Sequence, residues 1–190
     1  VEQEMIIFAS NSPRRKELLK GLGIDFEVQV ILGIDESYPN NLPAKDVAEY
    51  IATKKSVPYI TEGTDNVVIT ADTVVVCEGM IMGKPSDETD AKRMLHSLSG
   101  KTHQVYTGVC IKYGSCEKHF SVCTDVTFKK LSDEEITHYV KVYKPYDKAG
   151  SYGIQEWIGY VGITGINGSY YNVMGLPVQR IYEELKTLKV

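Results

Sequence analysis

Ten residues, VVITADTVVV at positions 67–76, constrain this chain more than any other stretch. β-Branched side chains are stiff in a helix and pack well on a pleated surface. A nearly unbroken run of them offers no polar face to water, so it reads as a strand buried on both sides. Such a strand needs layers above and below it, which points to an α/β protein. One residue breaks the pattern. Asp72 puts a carboxylate into the run, and charged groups are almost never buried without a partner. No turn residue adjoins it, so a cap explains it poorly. An aspartate at the end of a central strand, facing a metal or a nucleophilic water, explains it better.

The flanking sequence supplies the other elements. Residues 5–9 read as a strand, and Ser12 caps a helix with Pro13 at its first position and Gly21 or Gly23 at its end. Residues 26–30 alternate as a half-buried strand does. Residues 43 to about 56 read as a helix with Val47, Ala48 and Ile51 on one face. Glu78-Gly79 turns the central strand into a short one that ends at Gly83-Lys84-Pro85. Ser86 opens a helix with Ala91, Met94, Leu95 and Leu98 at helical spacing. Residues 102–112 and 118–128 read as a long hairpin, and Ser132 to Glu135 is a capping box. Residues 154–166 read as a glycine-spaced strand, and 176–188 as an amphipathic helix carrying Ile181, Leu185 and Leu188. There is no repeat or linker, so residues 1–190 read as a single α/β domain with a mixed central sheet flanked by helices.

Several classes of function are disfavoured. With 21 Lys and Arg against 25 Asp and Glu, the net charge is −4, a poor field for long nucleic acid. No apolar run approaches the ~18 residues of a membrane span. The opening VEQEMIIFAS is acidic and lacks the cationic and apolar regions of a leader, so a cytoplasmic protein is expected. Cys77, Cys110, Cys116 and Cys123 form no C-x-x-C pair and read as reduced thiols. His119 and Cys123 stand four apart, but two candidate ligands do not make a zinc site.

Where phosphate chemistry is concerned, Gly100-Lys101-Thr102 has the end of a P-loop but Leu95 where its first glycine belongs, and it leads into a strand. FASNSPRR at 8–15 is the better candidate. Two arginines at a helix start oppose the helix dipole and each other unless an anion sits among them. Strand, turn and helix in succession aim backbone N–H groups at such an anion, with Ser10, Ser12, Arg14 and Arg15 as further donors. A capped helix with two solvated arginines is the other reading of this stretch.

Asp35-Glu36 by itself is a solvated loop. Together with Asp72 it supplies the oxygen donors that Mg²⁺ prefers. Lys55 and Lys84 are cations for the same cleft, or surface lysines. Gln155 has an acceptor and two donors for a base edge, or is a half-exposed strand residue.

The motifs S-N-S-P-R-R (10–15), D-E (35–36), A-D-T-V-V-V (71–76), G-K-P (83–85), L-S-G-K-T-H-Q-V (98–105), D-K-A-G-S-Y-G-I-Q (147–155) and I-N-G-S-Y-Y-N-V-M-G-L-P (166–177) occur together and in this order. In them the sequence resembles the Maf family of nucleoside triphosphate pyrophosphatases, within the inosine triphosphatase-like superfamily. The resemblance implies an elongated two-lobed α/β fold with a central mixed twisted sheet, its active site in the cleft, and commonly a homodimer. It implies hydrolysis of a nucleoside triphosphate between its α and β phosphates with Mg²⁺ or Mn²⁺. A-D-T and Y-G-I-Q resemble the branch acting on dTTP and UTP. The active-site acid then falls on Asp72. On this reading Glu36 and Asp72 hold the metal, Asp72 being either the base or chiefly a metal ligand, and Glu36, Lys55 and Lys84 stand with Asp72 as the catalytic residues. Ser10, Ser12 and Arg15 fall among the substrate-binding residues, and base choice on Arg14, Thr73 and Gln155. The family's helix lysine precedes alanine, whereas this chain has Lys54-Lys55-Ser56; spacing from Tyr50-Ile51-Ala52 selects Lys55, with Lys54 as the alternative. A purine or modified-nucleotide pyrophosphatase and a nucleotide-binding regulator of septum formation are the other functions the resemblance leaves open.

Overall fold

A computed structural model describes residues 4–188. The first three residues of the acidic opening segment lie outside it. Seven strands form one mixed sheet: β1 (Met5–Phe8), β2 (Glu27–Val28), β3 (Asn66–Cys77), β4 (Met80–Met82), β5 (Thr102–Tyr113), β6 (Cys116–Phe128) and β7 (Ile163–Asn167). Their hydrogen-bonded order is β2-β1-β3-β5-β6-β7, with β4 also paired to β3. β1 is parallel to both β2 and β3, while β3–β4 and β6–β7 are antiparallel. Among the described residues seven α-helices and a short 3-10 turn (Ala149–Ser151) accompany the sheet: α1 (Pro13–Lys20), α2 (Ala44–Ser56), α3 (Glu88–Leu98), α4 (Asp133–Tyr143), α5 (Trp157–Gly162), α6 (Tyr170–Met174) and α7 (Val178–Thr187). No helix among the described residues is long and apolar enough to cross a membrane.

The chain divides into two compact units. The first comprises Val1–Asp72, Thr107–Val122 and Gly175–Val190. Here Ile6, Ile7 and Phe8 are buried in succession, as are Val67 to Ala71, so these parallel strands are covered on both faces. α2 lies tight on the sheet because residue 108 of β5 is glycine; a Cβ there would overlap the Ala48–Glu49 backbone. Thr70 Oγ1 donates to the Ala52 carbonyl at 2.6 Å and fastens the same helix to β3. On α7, Ile181 and Leu185 are buried, and Leu188, just past its end, is half-buried.

The second unit comprises Thr73–Tyr106 and Cys123–Met174. Its core joins Val75 of β3 to Ala91, Met94, Leu95 and Leu98 of α3, Ile136, Tyr139 and Val140 of α4, and Phe128 of β6. The capping box of α4 is present, Ser132 Oγ accepting from Glu135 N and Glu135 Oε1 from Ser132 N. α3 begins one residue later than its sequence suggests. Asp87 is the cap, accepting from Asp90 N at 2.8 Å, and Ser86 N donates back to Asp90 Oδ2.

Two other segments differ from their sequence reading. The strand expected over 26–30 shrinks to Glu27–Val28, both exposed at the sheet edge. Residues 154–166 are not one strand but a turn, then α5, then β7. Their glycines serve close packing instead: Gly159 sits against the Ile154 carbonyl, where a Cβ would overlap, and Gly162 packs on Leu131 and Phe128. All four cysteines are free thiols. His119 pairs with Glu49, Nδ1 to Oε1 at 2.6 Å.

Candidate functional site

Seven of the candidate residues fall in the first unit. Ser12 caps α1, its Oγ accepting from Arg15 N at 3.3 Å, and Ser12 N donates to Ser10 Oγ at 3.2 Å. Each hydroxyl accepts from backbone and keeps its own proton to donate. Pro13 occupies the first helical position, which sets Arg14 and Arg15 in the first turn of α1.

The side chains converge on the middle of β3. Asp72 is not at a strand end, as its surroundings in sequence suggest, but midway along a twelve-residue strand. Both Asp72 and Thr73 are half-buried there, between fully buried neighbours on either side. Lys55, in the last turn of α2, reaches across to it, Nζ standing 2.8 Å from Asp72 Oδ1. The same ammonium stands 3.3 Å from Glu36 Oε1 and donates to the Ala71 carbonyl at 3.3 Å. Glu36 is 58% exposed, whereas Lys55 and Asp72 are 19% and 16% exposed, so the Lys55–Asp72 attraction is less screened than a surface pair would be. Arg15 completes the cluster. Its Nε donates to the Gly175 carbonyl at 2.7 Å and Nη1 to the Ala71 carbonyl at 3.4 Å. Burial pulls the Arg15 pKa down, the Asp72 carboxylate pushes it back up, Arg14 lowers it and Glu36 raises it. A guanidinium keeps its charge regardless.

Lys54 and Lys55 part company. Lys54 binds Asp35 at 2.8 Å, and only Lys55 of the two contacts Asp72 and Glu36 in the ion pairs described.

Two carboxylates that meet at one nitrogen form a hard-oxygen donor set. Among the described residues no three or more His, Cys, Asp or Glu side chains gather into a metal-binding group. Mg²⁺ commonly takes one or two carboxylates, with water and substrate phosphate completing its shell, so Glu36 and Asp72 fit that ion in type and number.

Thr73, Lys84 and Gln155 belong to the second unit. Lys84 is exposed, following β4. Gln155 is half-buried in the turn before α5, not in a strand. That turn is well held. Tyr139 OH accepts from Gly153 N at 3.0 Å and donates to Glu156 Oε1 at 3.0 Å, and Lys148 Nζ lies 3.4 Å from the same carboxylate oxygen. Burial, reinforced by Glu156, pushes the Tyr139 phenol well above its usual range. Gly150, at φ 70°, donates to the Gly83 carbonyl at 3.2 Å and so joins this loop to the segment carrying Lys84.

Sequence reasoning missed two contributors. The Arg15–Gly175 bond spans 160 residues, and no local pattern announces it. The grip of Lys54 on Asp35 had a signal: two adjacent lysines facing two adjacent acids.

Comparison with known proteins gives a consistent picture. A family model described as Maf-like protein matches residues 5–188. A protein of Phocaeicola vulgatus named dTTP/UTP pyrophosphatase is 59% identical over 189 residues, which are 99% of this chain and 98% of that protein. A protein of the same name from Parabacteroides distasonis is 57% identical over 182 residues, 95% of this chain and 94% of that one. Another, from Bacteroides fragilis, is 51% identical over 189 residues, covering 99% and 98%.

Proposed function

The chain belongs to the Maf family, and on that premise we propose that it is a nucleoside triphosphate pyrophosphatase acting on dTTP and UTP. Water adds to the α-phosphorus, the bond to the β-phosphate oxygen breaks, and the products are the nucleoside monophosphate and pyrophosphate. The observation that carries this reading is the meeting of Asp72, Glu36 and Lys55 beside Arg15. Full-length relatives named dTTP/UTP pyrophosphatase support the choice of substrate.

In this proposal Asp72 accepts the proton of the attacking water, since water alone is a weak nucleophile near neutral pH. Lys55, 2.8 Å from Asp72, orients that carboxylate and adds positive charge where phosphate charge develops. Arg14, Arg15 and Lys84 are assigned to charge neutralisation on the departing pyrophosphate. Thr73 and Gln155, with Arg14, are assigned to the pyrimidine edge, where an unmatched polar group penalises the wrong base. A divalent cation, Mg²⁺ or Mn²⁺, held by Glu36 and Asp72 would neutralise phosphate oxygens and make the water more acidic. A cytoplasmic location and a homodimeric state belong to the same proposal, to be tested by fractionation and light scattering.

The deciding experiment is a pyrophosphate-release assay over canonical and modified triphosphates with Mg²⁺ and Mn²⁺. Preference for dTTP and UTP is expected. Preference for dGTP or ITP would overturn the substrate assignment, and binding without turnover would overturn the activity.

A further inference from the structure

Glu36 sits in a loop, 29–43, that has no helix or strand of its own. Its start is tied down by Tyr59, whose hydroxyl accepts from Ile31 N at 2.9 Å and donates to the Gln29 carbonyl at 3.1 Å. Beyond that point Leu32 is 83% exposed. A glutamate on such a loop needs something to aim it.

Lys54 supplies the hold. Its ammonium has three donors and three oxygens within reach: Asp35 Oδ2 at 2.8 Å, the Ser37 carbonyl at 2.8 Å and Ser37 Oγ at 3.3 Å. Asp35 and Ser37 are the two neighbours of Glu36, so one side chain grips the loop on both sides of it. The two neighbours also bind each other, Ser37 N donating to Asp35 Oδ1 at 2.9 Å and Ser37 Oγ to Asp35 Oδ2 at 2.7 Å. Successive helical residues point about 100° apart, which lets Lys54 take Asp35 and Ser37 while Lys55 takes Glu36. The Tyr50 ring, one turn back on α2, lies 6.0 Å from the Lys54 ammonium.

We infer that Lys54 is a positioning residue, which by holding Asp35 and Ser37 turns the Glu36 carboxylate toward Lys55 and Asp72. This rests on the reading of Glu36 as part of the active site. Lys54 itself touches no reacting atom. Its pair with Asp35 is partly solvated, so the expected effect is moderate and sensitive to salt.

The test compares wild type, Lys54→Met, Lys54→Arg, Asp35→Asn, Glu36→Gln and the Lys54→Met/Glu36→Gln double variant. Each is assayed for pyrophosphate release from dTTP with Mg²⁺, and each is followed by hydrogen exchange over residues 33–38. Lys54→Met and Asp35→Asn are expected to lower kcat about fivefold with little change in KM. The amide of Ser37 should lose protection in both, and Lys54→Arg should recover a good part of both losses. In the Glu36→Gln background, Lys54→Met should add nothing, since residues acting through one another are not additive. Full activity in Lys54→Met, in an enzyme that does need Glu36, overturns the inference alone. So does a Lys54→Met loss that adds fully to that of Glu36→Gln. An undiminished Glu36→Gln enzyme overturns the reading of the site, and the positioning role falls with it.

Discussion

Lys55 Nζ stands 2.8 Å from Asp72 Oδ1, bridging the last turn of a helix and the middle of a buried strand. Each leaves the other partly buried and dependent on it, since a charge in such a place is costly when its partner is removed. Asp72→Asn is expected to abolish pyrophosphate release with an unchanged far-ultraviolet circular dichroism spectrum. Lys55→Met should lower kcat on the order of a hundredfold, the usual scale for losing one preorganised donor. Steady-state kinetics of the purified variants checks both; wild-type turnover by Asp72→Asn would remove that residue from the chemistry.

Gly108 allows α2 to lie against β5, so a methyl group there must push the helix outward. Gly108→Ala should cost about 1–3 kcal/mol or more, as overpacking does. Because α2 also carries Lys55, activity should fall beyond what the unfolded fraction explains. Urea titration and turnover, measured on the same preparation, separate the two effects.

His103 is fully buried, its Nε2 2.6 Å from Tyr152 OH. Burial holds its pKa down at about 4, against a smaller upward pull from Asp125. The unfolded chain therefore binds this proton first as pH falls. Stability should be unaffected by His103 above pH ~6.5, decline below it, and have lost on the order of 3 kcal/mol once pH is under about 4. His103→Gln, which cannot titrate but can still bond Tyr152, should flatten that slope in urea titrations from pH 7.5 to 4.

Removing divalent cations with a chelator should stop turnover, and Mg²⁺ or Mn²⁺ should restore it. Glu36→Gln should raise the Mg²⁺ concentration needed for half-maximal rate, since a neutral amide is a poorer ligand than a carboxylate. An unchanged Mg²⁺ requirement would take Glu36 out of the ligand set.

Gln155→Ala should lower kcat/KM for dTTP and UTP more than tenfold while changing the melting temperature little. Competition between dTTP and dGTP reads the selectivity directly, through differential transition-state binding.

The sequence announced what is periodic or local. The β-branched run of β3, the apolar stripe of α3 and the capping box of α4 are each written within about a dozen residues. α5 was hidden because WIGYVG mixes glycines with β-formers. In the fold those glycines sit where a Cβ would crowd Ile154 and Phe128, contacts that no local pattern shows. At the site, the residue types were legible but their contacts were not. Arg15 had the look of a ligand group, yet two of its donors go to the carbonyls of Ala71 and Gly175, partners distant in sequence. Lys55 could be separated from Lys54 only when the loop carrying Asp35 and Glu36 was seen to meet each of them.

Tyr139 has an effect beyond the core it fills. Its hydroxyl fixes the backbone at residue 153 and the carboxylate at residue 156, so the turn that presents Gln155 takes its shape from other positions. The two bonds that hold the turn involve residues 153 and 156, on either side of Gln155. The shape of that turn is thus set from Tyr139 on α4, and not by the residue the turn exposes.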